Sequence, residues 1–240
     1  MYANYSILAK YYDKFTQNDC DYVSWSQYLY AIATRHNVRE VVDLACGTGK
    51  MTLLLSKFGL KLTGVDVSNE MLSQARAKVN SAAFICQDIK RLALAHPVDM
   101  AVCVNDGINY IKPRDLTPTF IRIATSLKVG APLVFDVSSA YKLTQTIGNN
   151  VFYWDDEHET LLWSNMCKAG SLTMNLSLFE LNGSGSYDRF DEQHTQYIYT
   201  QQQIVQALDV AGFSVVEVTA DYGKKLSENS PRITFYAVKR

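Results

Sequence analysis

Short apolar runs and amphipathic stretches alternate through the first 140 residues. Residues 41–45 (VVDLA) form an apolar run, and a helical pattern follows from Lys50 to Lys57. Residues 60–67 (LKLTGVDV) are the next strand candidate. Ser68 then caps a helix that carries Met71, Leu72, Ala75 and Val79 on one face. Residues 82–88 (AAFICQD) and 98–106 (VDMAVCVND) read as a third and a fourth strand. Pro113 opens a helix with Leu116, Phe120, Ile123 and Leu127 on one side, Gly130 ends it, and 132–138 (PLVFDVS) is a fifth strand. Strands alternating with helices predict an α/β domain with a parallel sheet. The near-continuous apolar strands suit a sheet covered on both faces.

The rhythm breaks after Ser139. Residues 151–199 carry strand patterns and no helical one. Leu172, Met174, Leu176 and Leu178 alternate with polar residues, and KAGS (168–171) and NGSGS (182–186) read as turns. The expectation is an antiparallel β insertion with one buried face. Thr200 and Gln203 then form a capping-box pattern before Ile204, Leu208 and Ala211, with Gly212 closing the helix. Residues 213–220 and 232–239 complete the chain as an antiparallel strand pair.

Composition narrows the class. The 240 residues are 48% hydrophobic, enough for a sizeable core, and the formal net charge is −1. A near-neutral balance makes nucleic acid an unlikely partner. The five cysteines (Cys20, Cys46, Cys86, Cys103, Cys167) are odd in number and widely spaced. They read as free thiols in a reducing cytoplasm, and no metal site is expected. No leader pattern and no membrane span are expected either.

The candidate chemistry centres on VVDLACGTGK (41–50). A phosphate loop needs glycine where Leu44 stands and Ser or Thr where Met51 stands. The dinucleotide fingerprint is matched by Gly47 and Gly49, but its third glycine falls on Thr52. A third possibility keeps the acid inside the motif. Asp43 precedes Gly47 by four residues, and its carboxylate can accept hydrogen bonds in the turn or face an ammonium. Asp66 ends the second strand, where a carboxylate can take both ribose hydroxyls. Asp88 ends the third, where it can accept from an adenine amino group, with Val67 and Ile89 beside the ring. Three acids at successive strand ends point to the carboxyl edge of the sheet, where open α/β sheets bind ligands.

These motifs resemble those of class I S-adenosylmethionine-dependent methyltransferases. The likeness rests on VVDLACGTGKMT, LTGVDVSNEML, FICQDI and VDMAVCVND, and covers roughly residues 35–140 and the last forty. More narrowly, the chain resembles a bacterial group of small methyltransferases of poorly defined substrate, through Tyr11-Tyr12-Asp13, Asp155 to Trp163, and Tyr187 to Tyr199. The resemblance implies a Rossmann-like, doubly wound, mostly parallel seven-stranded sheet with an antiparallel C-terminal strand. Residues 1–140 and 200–240 would bind the cofactor under an N-terminal helical lid, and 141–199 would be a substrate cap or dimer contact. Asp43, Ala45, Gly47 and Gly49 would line the methionine end, and Asp66 would hold the ribose with Val67 and Met71 beside the adenosine. Gln87, Asp88 and Ile89 would meet the adenine, Asn105 and Asp106 the sulfonium, and Tyr11 and Trp25 would close over the cofactor.

Methyl transfer from a sulfonium is an in-line displacement in which the protein mainly positions and dehydrates the reactants. A general base helps only when the nucleophile must lose a proton early. A [DNS]-P-P-[YFW] motif of amino- and amide-nitrogen methylation would fall at 105–108, where Asn-Asp-Gly-Ile stands, and no Pro-Cys pair is present. The expected acceptor is a small molecule. His194 shares a strand face with Glu192 and Phe190, as base, substrate-orienting group or structural histidine, and Asp106 is the other catalytic candidate. Tyr110, Tyr187, Trp154 and Trp163 are candidates for an acceptor pocket. Tyr2, Tyr5, Tyr11 and Tyr12 belong either to a mobile lid or to an ordinary packed helix. The rival readings are an RNA methyltransferase, a non-catalytic binder of S-adenosylmethionine, and an NAD-dependent oxidoreductase. A monomer or a homodimer is expected.

Overall fold

The computed structural model describes residues 8–16 and 20–240. Tyr2 and Tyr5 lie outside them. Two sheets are present. The larger contains β1 (Glu40–Leu44), β2 (Lys61–Asp66), β3 (Ala83–Cys86), β4 (Met100–Cys103) and β5 (Pro132–Ser138). The smaller contains β6 (Val151–Asp155), β7 (Glu159–Lys168), β8 (Ser171–Leu181) and β9 (Tyr187–Tyr197). The chain then returns to the larger sheet with β10 (Phe213–Ala220) and β11 (Arg232–Lys239). The seven-stranded order is β3-β2-β1-β4-β5-β11-β10. The β1–β5 strands pair in parallel, and β11 runs antiparallel to both β5 and β10. This is the Rossmann-like, mostly parallel sheet with an antiparallel last strand.

Burial explains the apolar runs. Every residue of β4 and β5 is buried, because both faces of the sheet are covered. Adjacent β1 residues serve opposite faces. Val42 packs with Phe120 and Ile123 of the helix Pro113–Thr125 and with Leu208 of the helix Gln201–Val210. Val41 packs with Trp25, Leu29 and Ile32 of the helix Tyr22–Arg35 and with Leu55 of the helix Lys50–Ser56. We number the helices α1 (Leu8–Phe15), α2 (Tyr22–Arg35), α3 (Lys50–Ser56), α4 (Asn69–Lys78), α5 (Pro113–Thr125) and α6 (Gln201–Val210).

The expected caps are present. The Ser68 hydroxyl accepts from Met71 N at 3.1 Å, and Thr200 and Gln203 form a reciprocal capping box. Two boundaries differ from the sequence reading. The helix opened by Pro113 stops at Thr125, short of Gly130, because Leu127 leaves it to bridge Val98. The third strand ends at Cys86, so Gln87 and Asp88 lie beyond it, where Asp88 caps a single 3₁₀ turn over Ile89–Arg91.

The smaller sheet is an antiparallel meander in the order β6-β7-β8-β9. Leu172, Met174 and Leu178 are buried, as their alternation predicts. The face packs in two places. One patch gathers Leu8, Tyr11, Leu161 and Leu178, so α1 lies on the sheet. The other gathers Leu143, Leu172 and Met174 with Tyr110, which follows β4. The insertion is thereby set beside the carboxyl edge of the larger sheet. Among the described residues no helix is long and apolar enough to cross a membrane.

Candidate active site

The carboxyl ends of β1, β2 and β4 open into a cleft of about 950 Å³. From the first turn come Ala45 and Gly47, and from the end of β2 Asp66, Val67 and Met71. Gln87, Asp88 and Ile89 form the wall after β3, and Asn105, Asp106 and Gly107 the wall after β4. Tyr12 of α1 and Tyr110 close the inner side.

Asp66 organises the cleft. One carboxylate oxygen accepts from Gly47 N at 2.8 Å and the other from Ser68 N at 2.9 Å. The carboxyl is mostly buried, and that burial pushes its pKa up against the backbone donors. A carboxylate has about four acceptor sites, so capacity remains for a hydroxyl in the cleft. Gly47 takes a left-handed φ of 54°, and a Cβ built there meets nothing within 4 Å, so the turn faces open space. Gln87 Oε1 accepts from Ala93 N at 3.0 Å, and Asp88 accepts from Lys90 N at 3.0 Å.

A smaller pocket of about 380 Å³ adjoins the glycine turn and is lined by Asp43, Ala45, Gly47 and Lys50, among others. Asp43 is buried, and the Thr52 hydroxyl donates to it at 2.5 Å. Burial raises the Asp43 pKa to about 7, with the Thr52 hydrogen bond opposing it and the Asp66 charge adding to it. Thr52 stands where a dinucleotide site has its third glycine, and here it supplies a partner for a buried acid.

Beyond β4, Asn105 and Asp106 both take left-handed conformations, with φ of 64° and 58°. The fully buried Asp136 of β5 holds this turn, accepting from Asn105 N at 2.7 Å and Asp106 N at 2.9 Å. Arg232 of β11 pairs with Asp136, and its second nitrogen donates to Asn105 Oδ1 at 2.9 Å. The Tyr222 hydroxyl also donates to Asp136. Asn105 Nδ2 donates to the Tyr12 hydroxyl at 3.2 Å, and Asp106 accepts from Ser138 Oγ at 2.8 Å.

Four expected residues lie elsewhere. Trp25 is on the inner face of α2, behind the sheet. Its indole N–H donates to Asp221 at 2.9 Å, its ring stacks on Tyr222 at 4.6 Å, and the Arg232 guanidinium lies 4.7 Å from its centroid. Tyr11 packs under the insertion sheet with Leu161 and Leu178, and Tyr12 takes the place in the cleft. Gly49 starts α3 with φ 78°, and its α-carbon faces Ala75 of α4: a Cβ there would lie 3.0 Å from the Ala75 Cβ. That close approach requires a glycine for α3 to pack on α4. Tyr187 is exposed at the start of β9.

His194 is in a second cavity, of about 860 Å³, beneath the insertion sheet. It is buried, with Nε2 3.2 Å from the equally buried Glu192. Trp154 and Trp163 share the wall, and Tyr12 and Tyr110 belong to both this cavity and the cleft. Asp136 and Arg232 carried no signal in the sequence, and Tyr12 stood there only as a lid or packing residue while Tyr11 was expected at the cofactor. Tyr12 differed from Tyr11 only in helical phase, and the Asp136–Arg232 pair spans 96 residues with no local signal.

The methyltransferase-domain family matches residues 41–130. Over 98% of this chain and 99% of its own length, a putative methyltransferase of Geobacillus sp. (strain WCH70) is 33% identical. The putative methyltransferase YqeM of Bacillus subtilis is 32% identical over 98% of this chain and 97% of its own. The crystal structure of an S-adenosylmethionine-dependent methyltransferase from Clostridium acetobutylicum superposes with a TM-score of 0.87 at 33% identity, covering 96% of this chain and 97% of that one.

The chain belongs to the class I S-adenosylmethionine-dependent methyltransferases.

The residues present fit the cofactor of a methyltransferase. A nucleoside needs acceptors for its hydroxyls and amino group and apolar faces for its ring. Asp66 and Asp88 supply the first, and Val67, Met71 and Ile89 the second, all in one cleft that Gly47 leaves open.

Proposed function

We propose that this methyltransferase modifies a small-molecule acceptor held in the cavity beneath the insertion sheet. The supporting observation is the shared wall: Tyr12 and Tyr110 line both compartments, so an acceptor in one abuts the contents of the other. Bound S-adenosylmethionine supplies a methyl group already activated on a cationic sulfur. In this reading Asp66 holds the ribose, with Val67 and Met71 beside it. Gln87, Asp88 and Ile89 meet the adenine. Asp43, Ala45 and Gly47 serve the methionine end, and Asn105 and Asp106 flank the sulfonium. Residues 1–140 and 200–240 act as the donor domain, and 141–199 as the acceptor cap, with the chain in the cytoplasm as monomer or homodimer.

The chain's own contribution is placement. The Asp136 carboxylate fixes the Asn105–Asp106 turn through two backbone donors, so that wall needs no rearrangement when ligands arrive. The aromatic insertion face gives the acceptor side an apolar wall. A formal net charge of −1 supports a small acceptor over RNA.

The test fractionates a cell extract into low-mass metabolites, RNA and protein, and reads S-adenosylhomocysteine release with each. Release with the low-mass fraction is expected. Release with RNA or protein alone would overturn the reading.

A further inference from the structure

We infer that the acceptor is an uncharged, planar aromatic molecule bearing a hydroxyl, and that His194 takes the hydroxyl proton. The inference rests on the reading of the second cavity as the acceptor site and gives that site its chemistry.

The cavity wall is dominated by rings. Tyr12, Phe15, Tyr110, Phe152, Trp154 and Trp163 all face it. Phe152 and Trp163 lie 5.1 Å apart at 44°, and Tyr110 meets His194 edge to face at 6.2 Å. Such surfaces take a flat apolar body by stacking. Among the described residues the wall includes no Asp, Glu, Lys or Arg. A carboxylate or phosphate would be stripped of water there with no counter-charge, and an ammonium would meet ring faces but no carboxylate on the wall.

His194 is the one imidazole among the wall residues, and an imidazole nitrogen can take a proton. Behind it stands Glu192, whose Oε2 is 3.2 Å from His194 Nε2 and whose Oε1 accepts from Leu8 N at 3.3 Å. A buried carboxylate in that position orients the imidazole, the same logic that a base–acid pair uses in acyl transfer. An aromatic hydroxyl becomes a strong nucleophile only as its proton leaves. The oxygen–methyl bond forms while the methyl–sulfur bond breaks with its electron pair left on sulfur, and the hydroxyl proton passes to the His194 imidazole. The products are an aryl methyl ether and S-adenosylhomocysteine, with the new positive charge on His194 balanced by Glu192.

The experiment first establishes S-adenosylhomocysteine binding by calorimetry. The saturated protein is then titrated with 2-naphthol, 2-naphthoate and (2-naphthylmethyl)trimethylammonium. We expect 2-naphthol to bind at least about tenfold more tightly than either charged probe. Leu176→Trp, which fills the cavity, should weaken 2-naphthol about tenfold and leave S-adenosylhomocysteine within about twofold. With S-adenosylmethionine supplied, wild type should yield the naphthyl methyl ether. His194→Gln should keep both affinities within about twofold and cut turnover by about 10²-fold or more. A charged probe binding as tightly as 2-naphthol overturns the inference, as do 2-naphthol bound but not methylated and unchanged turnover in His194→Gln. Failure of S-adenosylhomocysteine to bind would instead remove the donor-site reading on which the inference stands.

Discussion

At the residue scale, the site depends on carboxylates with different surroundings. Asp66 keeps backbone donors on both oxygens and still lines the cleft. Asp66→Ala should raise the Kd for S-adenosylhomocysteine about 10- to 100-fold, measured by calorimetry, because hydrogen bonds to a charged group are each worth about 1.5–3 kcal/mol. Asp43 differs in being sealed under Thr52. Its pKa of about 7 in the fold lies above the ordinary 3.8, so the folded chain keeps a proton that the unfolded chain has lost. That stabilising contribution is complete below 3.8 and is lost as pH rises through about 7. The melting temperature of the ligand-free protein should therefore fall between pH 5 and pH 8, and Asp43→Asn should flatten the fall, as read by calorimetric melts. The acids at strand ends were legible in the sequence because a carboxylate that closes an apolar run has few places to point. Trp25 was not, since an indole on a helix suits a lid and a core equally. Here the N–H of that indole found Asp221, 196 residues away.

At the scale of elements, α1 does the most with the least chain. Its Tyr11-Tyr12-Asp13 run points three ways. Tyr11 packs under the insertion, Tyr12 enters the cleft, and Asp13 accepts from Thr48 Oγ1 at 2.7 Å while pairing with Lys78. Burial alone would raise the Asp13 pKa, but the Lys78 and Thr48 hydrogen bonds and the lysine charges outweigh it and hold it below the usual carboxylate value. On the other flank Lys14 pairs with Asp156 and Glu159, and Lys10 with Glu180. The Asp13 and Lys78 side chains are 35% and 28% exposed, so solvent still screens the pair and Asp13→Ala should cost about 1 kcal/mol of global stability. Hydrogen exchange in α1 should nonetheless quicken, and S-adenosylhomocysteine should slow it again, as mass spectrometry of the α1 peptide would show. The motif itself stood out in the sequence. The direction of each of its side chains did not, because neighbouring helical positions differ by about 100° and only tertiary packing sets the phase.

At the scale of the whole molecule, one buried cluster joins distant parts of the chain. Asp136 on β5, Arg232 on β11, Tyr222 between the last two strands and Trp25 on α2 meet behind the Asn105–Asp106 turn. Removing one partner of a buried ion pair costs about 3–5 kcal/mol, so Arg232→Ala should lower the unfolding free energy by that much in denaturant titration. Strand alternation and the two caps made the architecture legible, including the change from parallel to antiparallel pairing. The cluster was hidden, because a single acid inside an apolar strand carries no mark of a partner 96 residues on.

The Tyr12 phenol borders all three cavities. Whatever settles in one compartment presses on a ring that the others also touch. Free energies of binding are reciprocal, so if the donor favours one rotamer of that ring, the acceptor must favour the donor's arrival by an identical factor. A single side chain would then make the two ligands cooperate, with no motion of the sheet required.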